Sequence, residues 1–227
     1  MFYSKMETKK EETYRAFVNE IAKLPIRMGS VTPTQQQFLD TFLNEHPEIK
    51  HVLETGFHVG LSAATMLTAR DDIIVTSFDI FWFDYTRRAK LLLDISFPLR
   101  NILIAGNSVC SLQTFFRQFS YSPDMIFVDG GHERPIPFLD LYFLMKYIRP
   151  GTWIIVDDYC EEHGSGGVIE AVNECIQQGY ITDAAAYKAD DRGWIVGTRS
   201  TVPVKDHPSA SPEELEKVYK DTESHYP

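Results

Sequence analysis

Near its start the chain repeats apolar residues at spacings of three and four. Tyr14, Phe17, Val18, Ile21 and Leu24 share one side of a helical wheel, so residues 11–24 read as an amphipathic helix. A second helix is expected in "TPTQQQFLDTFLNEH". It opens on Thr32-Pro33, a cap followed by a residue preset for the first turn, and then brings Phe38, Phe42 and Leu43 together. From Ile49 the pattern changes. Short apolar runs predict strands at 51–56, 73–79, 101–106, 124–129 and 153–157, and the segments 61–69, 85–95, 111–119 and 136–148 between them read as helices. Strands that are apolar throughout, alternating with helices of about ten residues, predict a parallel sheet covered on both faces. A helix at 168–178 then leads to strands at 180–187 and 194–198, with "ADDRG" between them as a hairpin turn. Beyond Val204 the chain is polar, and "SPEELEKVYKD" predicts one short, mostly solvated helix. The division expected is a helical cap at 1–48, an α/β core at 49–200 and a tail at 201–227. Whether that tail docks, dimerises or stays mobile is left open by its sequence.

Composition narrows the setting. With 227 residues, 44% of them hydrophobic and 24% charged, the chain suits one globular α/β domain with appendages. Its net charge of −10, and the lack of a dense basic tract beyond Lys9-Lys10, argue against a nucleic-acid partner. Three cysteines without zinc-type spacing fit a reducing compartment. The first residues lack the apolar centre of a signal peptide, and "FLDLYFLMKYI" is broken by Asp140 and Lys146. A cytoplasmic protein without a membrane segment is expected.

The first chemistry lies in "VLETGFHVGLSAATML", where a buried strand turns into a helix through Gly56 and Gly60. Free N–H groups at such a helix start suit an anionic group, and missing side chains let a ligand lie against the backbone. The spacing is Gly-x-x-x-Gly, not the Gly-x-Gly-x-x-Gly of dinucleotide binders, which disfavours a nicotinamide oxidoreductase. Glu54 before the turn would repel pyrophosphate but suit the amine of an amino acid. Asp79, about twenty residues on at the next strand's end, is placed to hold ribose hydroxyls. The ligand expected is a nucleoside with an amino-acid end, and S-adenosylmethionine has those parts.

"VLETGFHVGLSA", "SFDIF", "GNSVCSLQTF", "IFVDGGH" and "RPGTWIIVDDY" follow in the order found in class I S-adenosylmethionine-dependent methyltransferases. Over residues 33–198 the chain resembles the small-molecule O-methyltransferase branch, often metal-dependent, with Asp-Gly-Gly-His after strand 4. The resemblance implies a Rossmann-like α/β fold, seven strands in the order 3-2-1-4-5-7-6 with strand 7 antiparallel, and helices on both faces. It implies that Glu54, Gly56 and Gly60 line the methionine end, that Phe57 and Ser62 also bind the cofactor, that Asp79 binds ribose, and that Asn107 and Ser108 lie near the adenine. Asp129 would also meet the cofactor, and Phe81 or Trp82 would pack on the adenine or, equally, in the core. The chain departs from the family pattern at His58 and Val59, at Asn107 where an acid is common, and at Gly131 where some relatives carry a second acid.

In that strand order Asp129 and the pair Asp157-Asp158 end neighbouring strands, roughly 5 Å apart. Three carboxylates so close repel one another unless a proton or a cation stands between them. Oxygen ligands favour Mg²⁺, with Mn²⁺ or Ca²⁺ as substitutes, and metal-dependent relatives place ligands at these strand ends. Such an ion would acidify an acceptor hydroxyl. His132 is the candidate base, or else an ion ligand or the cap of "ERPIP". Successive strand residues point to opposite faces, so Asp157 and Asp158 can both ligate only if strand geometry breaks between them. The expected activity is methyl transfer to a hydroxyl of a small molecule, with homo-oligomerisation left open. Metal-free N- or C-methylation and a non-catalytic binding module are the alternatives.

Overall fold

A computed structural model describes residues 2–26, 30–161, 166–189, 191–206 and 211–225. Seven strands form one sheet: β1 (His51–Thr55), β2 (Ile74–Asp79), β3 (Asn101–Ala105), β4 (Met125–Val128), β5 (Trp153–Val156), β6 (Ile181–Ala189) and β7 (Arg192–Arg199). Their order is β3-β2-β1-β4-β5-β7-β6. The first five run parallel, and β7 is antiparallel to both β5 and β6. This is the topology expected from the sequence, with the reversed strand where "ADDRG" predicts the hairpin. Every residue of β4 is buried, as is β1 after His51, which is why both read as unbroken apolar runs.

Among the described residues eight helices accompany the sheet: α1 (Phe2–Ile21), α2 (Pro33–Glu45), α3 (Leu61–Ala69), α4 (Asp84–Ser96), α5 (Ser108–Gln118), α6 (Ile136–Tyr147), α7 (Gly166–Gln177) and α8 (Pro212–His225). Neighbouring residues of β1 feed two cores. Val52 joins Phe17, Leu39, Leu43, Ala63 and Leu67 on one face, whereas Leu53 joins Leu112, Leu141, Leu144 and Val172 on the other. The apolar stripes of α1 and α2 thus close over α3, where the Tyr14 hydroxyl also donates to Gln36 Oε1 at 2.7 Å.

Three helices differ from their expected bounds by three residues or more. The first helix begins at Phe2, because the Lys- and Glu-rich stretch before Glu11 propagates a helix without any apolar stripe. The helix after β3 begins at Ser108, three residues early, because Asn107 Oδ1 accepts the Val109 N–H as an N-cap. The tail helix reaches His225 and docks: Leu215 and Val218 pack with Leu139, Tyr142 and Phe143 of α6, and Arg134 Nε meets Glu214 at 2.8 Å. His163 of the glycine-rich loop and Asp190 of the hairpin lie outside the described residues. Among the described residues no helix is long and apolar enough to cross a membrane.

Candidate active site

The strand order sets four carboxyl ends side by side: Asp79 on β2, the glycine turn after β1, Asp129 after β4 and Asp157-Asp158 after β5. In doubly wound sheets such a row of strand ends is where ligands bind.

The glycine turn is built as much by the protein's own packing as by any ligand. Gly56 has φ +89°, and a Cβ there would lie 1.8 Å from the Asp129 carbonyl oxygen, so the ends of β1 and β4 meet only over glycine. Gly60, at φ +71°, is the N-cap of α3, and a side chain would strike the Phe57 ring at 2.6 Å. Between them His58 takes φ +50°, a left-handed conformation uncommon for a residue with a side chain. Its surroundings hold it there: its N–H donates to Asp79 Oδ2 at 2.7 Å, and its ring lies 3.0 Å from the Tyr85 hydroxyl and 3.4 Å from Ser30 Oγ.

Asp79 is the hinge of this rim. Oδ2 takes the His58 N–H and Oδ1 takes the Phe81 N–H at 2.7 Å, so one carboxylate ties the turn after β1 to the turn after β2. Each oxygen keeps a further lone pair for a hydroxyl. Phe81, at φ +60°, is half-buried on this rim, and Trp82 beside it is 59% exposed.

Several residues expected to line the ligand are engaged with other groups of the protein. Glu54 lies on the α3 side of β1 with no exposed surface, and accepts from Ser62 Oγ at 2.9 Å and Ser77 Oγ at 2.6 Å. Strand alternation turns it into the protein, so Glu54 and Ser62 meet each other. Burial pushes the Glu54 carboxyl up to about 7; the two serines oppose the shift and Asp79 adds to it. Phe57 is buried beneath Gly60. Asn107 spends its side-chain oxygen on the α5 cap, and Ser108 is bonded to Asp140, whose carboxyl burial raises to about 7. An open groove of about 420 Å³ runs along α5 past Gly106, Asn107, Cys110, Ser111 and Phe115; Asp79, Asp129, His132 and Asp158 do not line it.

At the other end of the row the carboxylates have separate fates. Asp158 takes φ +56°, the break in strand geometry that the sequence demands if it and Asp157 are to share a site. The break turns them to different partners all the same. Asp157 Oδ1 accepts from Gln35 Nε2 and, at 2.8 Å, from the Asp158 N–H. Asp158 faces His132 Nε2 through Oδ2 at 2.7 Å and Arg192 Nη1 through Oδ1 at 2.8 Å. Among the described residues the group whose ligand atoms converge within 4.8 Å is therefore Asp129, His132 and Asp158, with His132 in the place expected for Asp157.

Charge follows this geometry. Burial, and then Asp157, Asp158 and Glu54, raise the Asp129 carboxyl; burial and then Asp158 raise that of Asp157 to about 7. Burial also acts to raise Asp158, but the hydrogen bonds and charges of His132 and Arg192 outweigh it and leave this carboxyl below its ordinary value. The bond to Asp158 raises the His132 imidazole against the opposing effect of burial. The cluster thus limits its repulsion by disfavouring charge on Asp129 and Asp157 and by setting cationic partners beside Asp158.

Two contributors escape a reading by motif. Gln35 closes the capping box of α2, its side chain accepting the Thr32 N–H at 2.8 Å, and the same amide reaches Asp157. The Thr-x-x-Gln spacing marks the cap, but its contact with a strand 122 residues away has no local signal. Arg192, the first residue of β7, has none either.

Comparison with known proteins agrees with this architecture. A family model described as a methyltransferase domain matches residues 53–159. Among solved structures, an O-methyltransferase of Bacillus cereus in complex with S-adenosylhomocysteine superposes with a TM-score of 0.72 at 19% identity, over 83% of this chain and 91% of that one. The O-methyltransferase TomG of Streptomyces achromogenes, involved in tomaymycin synthesis and solved with S-adenosylmethionine, gives 0.62 at 20% identity, over 86% and 89%. An S-adenosylhomocysteine-bound methyltransferase of Podospora anserina gives 0.65 at 14%, over 87% and 88%. No curated protein matches by sequence.

Proposed function

We propose that this chain, a class I methyltransferase by its fold and its matched domain, transfers the methyl group of S-adenosylmethionine to a hydroxyl oxygen of a small molecule. One observation carries this reading: the row of strand ends places the Asp79 rim of β2 two strands from β4, after which His132 follows and meets Asp158. Strand spacing makes that about 10 Å, the reach needed for a nucleoside at one end and its sulfonium at the other.

In this reading ribose hydroxyls take the remaining lone pairs of Asp79, and the amino-acid end lies over the backbone from Gly56 to Gly60. The adenine packs by Phe81 near Asn107 and Ser108. Glu54 acts from behind, holding Ser62 and the start of α3. An acceptor hydroxyl beside His132 gives its proton to the imidazole as its oxygen attacks the methyl carbon in line, and S-adenosylhomocysteine leaves with the C–S bonding pair. Asp158 fixes the ring and stabilises its protonated form. The three donors Asp129, His132 and Asp158 support a second reading in which they hold Mg²⁺, Mn²⁺ or Ca²⁺. When bound, such an ion supplies Lewis acidity toward the acceptor oxygen.

Turnover of labelled S-adenosylmethionine over a panel of hydroxylated, amino and carbon acceptors tests the proposal. Oxygen methylation that persists after exhaustive EDTA treatment supports His132 as base, and loss restored by Mg²⁺ supports the second reading. Calorimetric binding with no transfer to any acceptor would instead make the protein a non-catalytic module.

A further inference from the structure

We propose that Arg192 is the built-in counter-cation of the strand-end cluster, holding at Asp158 the place a divalent ion would take, so that an ion binds there only as Arg192 leaves. The position of Arg192 is imposed by backbone. The antiparallel register sets Val156 of β5 opposite Ile195 of β7, and Gly193 then runs against the chain leaving β5. The Tyr159 N–H donates to the Gly193 carbonyl at 2.8 Å, and a Cβ on Gly193 would fall 2.4 Å from the Tyr159 oxygen. Only glycine permits that approach, and it delivers the preceding residue to Asp158.

The pairing there is complete. Asp158 is 3% exposed, and each oxygen has a cationic or protonatable partner within 2.8 Å. A guanidinium keeps its charge at any ordinary pH, unlike the imidazole opposite. A divalent ion on either Asp158 oxygen would sit within a few ångströms of that charge, in a buried setting where repulsion is weakly screened. Arg192 meets the charge of Asp158 first and then those of Asp157 and of its neighbour Asp191, and it acts on Asp129 as well. The arrangement gives the cluster its cation without a bound ion, and it makes ion affinity a property set by one side chain outside the donor set.

The inference rests on reading the cluster as the reacting centre, but its test needs no turnover. Mn²⁺ is titrated into the purified full-length protein, and the loss of the free-ion paramagnetic resonance signal is followed. Arg192→Met is expected to bind Mn²⁺ at least about tenfold more tightly than the wild type, and adding Asp158→Asn is expected to cancel the gain. Arg192→Lys keeps a charge but loses the rigid fork, and is expected to bind with intermediate affinity; it carries the test if the methionine variant fails to fold. Equal Mn²⁺ affinity in the wild type and the folded Arg192 variants would overturn the proposal, as would a gain that survives Asp158→Asn. Neither result would touch the methyl-transfer reading, which stands or falls on transfer itself.

Discussion

Asp79 shows how much one side chain can be asked to do at the rim of a parallel sheet. Its two oxygens fix the backbone of His58 and Phe81 before any ligand arrives. Asp79→Ala is therefore expected to weaken S-adenosylhomocysteine binding by about 1–3 kcal/mol, from lost charge-assisted hydrogen bonds, and to lower the melting temperature of the unliganded protein as well. Calorimetry and a thermal melt read the two effects separately, and unchanged affinity would remove the ribose role. His132 carries the second residue-scale expectation. Its bond to Asp158 raises the imidazole, so the neutral, proton-accepting form is lost as pH falls through a value above the ordinary ~6.5. The rate should fall with acidification along that limb. His132→Ala should lower kcat by roughly 10²–10⁴-fold and flatten the limb; a loss equal at every pH would contradict the base role. Both residues were legible in the sequence, because an acid after β2 and a histidine after β4 stand at fixed offsets from apolar strands. The direction in which side chains point was less legible. Glu54 reads as a ligand contact from its place before the glycines, yet a completed strand turns it to Ser62 and Ser77.

Elements were recoverable where burial forces a pattern. The five parallel strands and α3 follow from apolar runs and punctuating glycines, since a strand covered on both faces has little freedom of composition. Helix starts were missed at Phe2, where no apolar stripe announces one, and at Ser108, where the start is set by the Asn107 cap. Contacts between distant elements were missed for a deeper reason: nothing local to Thr32-Pro33 or to "ADDRG" encodes Asp157 or Asp158. Gln35 is the instructive case, since one amide both closes the α2 capping box and holds a site carboxyl in place. Gln35→Ala should lose the reciprocal cap and the buried bond together, a destabilisation of about 1–3 kcal/mol in urea unfolding. Cap loss alone would leave the chemistry near Asp158 untouched, so the informative readout is whether kcat and the pH limb of His132 move too. If stability falls while both stay fixed, α2 is only a lid on the core.

Across the whole molecule, buried acids set an unusual dependence of stability on pH. Burial raises Glu54, Asp140 and Asp157 to about 7 each, against roughly 4 in an unfolded chain. Between those values the folded state holds more protons than the unfolded one, so stability falls as pH rises. The stabilisation from these groups is complete below about pH 4 and is lost as pH climbs through about 7. His132, also raised, has the same sign, with its contribution lost as pH passes its folded value. His58 opposes them: burial lowers its imidazole, and its share of stability is lost as pH falls through the unfolded value of about 6.5. Asp158 is lowered, so its contribution is lost only at acid pH, near and below the unfolded value. Above the ordinary carboxylate range Glu54, Asp129, Asp140, Asp157 and His132 act against His58, and in a chain of net charge −10, whose self-repulsion also grows with pH, they decide the direction. The melting temperature of the unliganded protein should be higher near pH 5.5 than near pH 8. Asp140→Asn should shrink that difference by removing one titrating group while keeping a polar partner for Ser108. A melting temperature that rises from acid to alkaline conditions would mean these carboxyls are ionised and satisfied in the folded state, and the protonated interior described here would have to be abandoned.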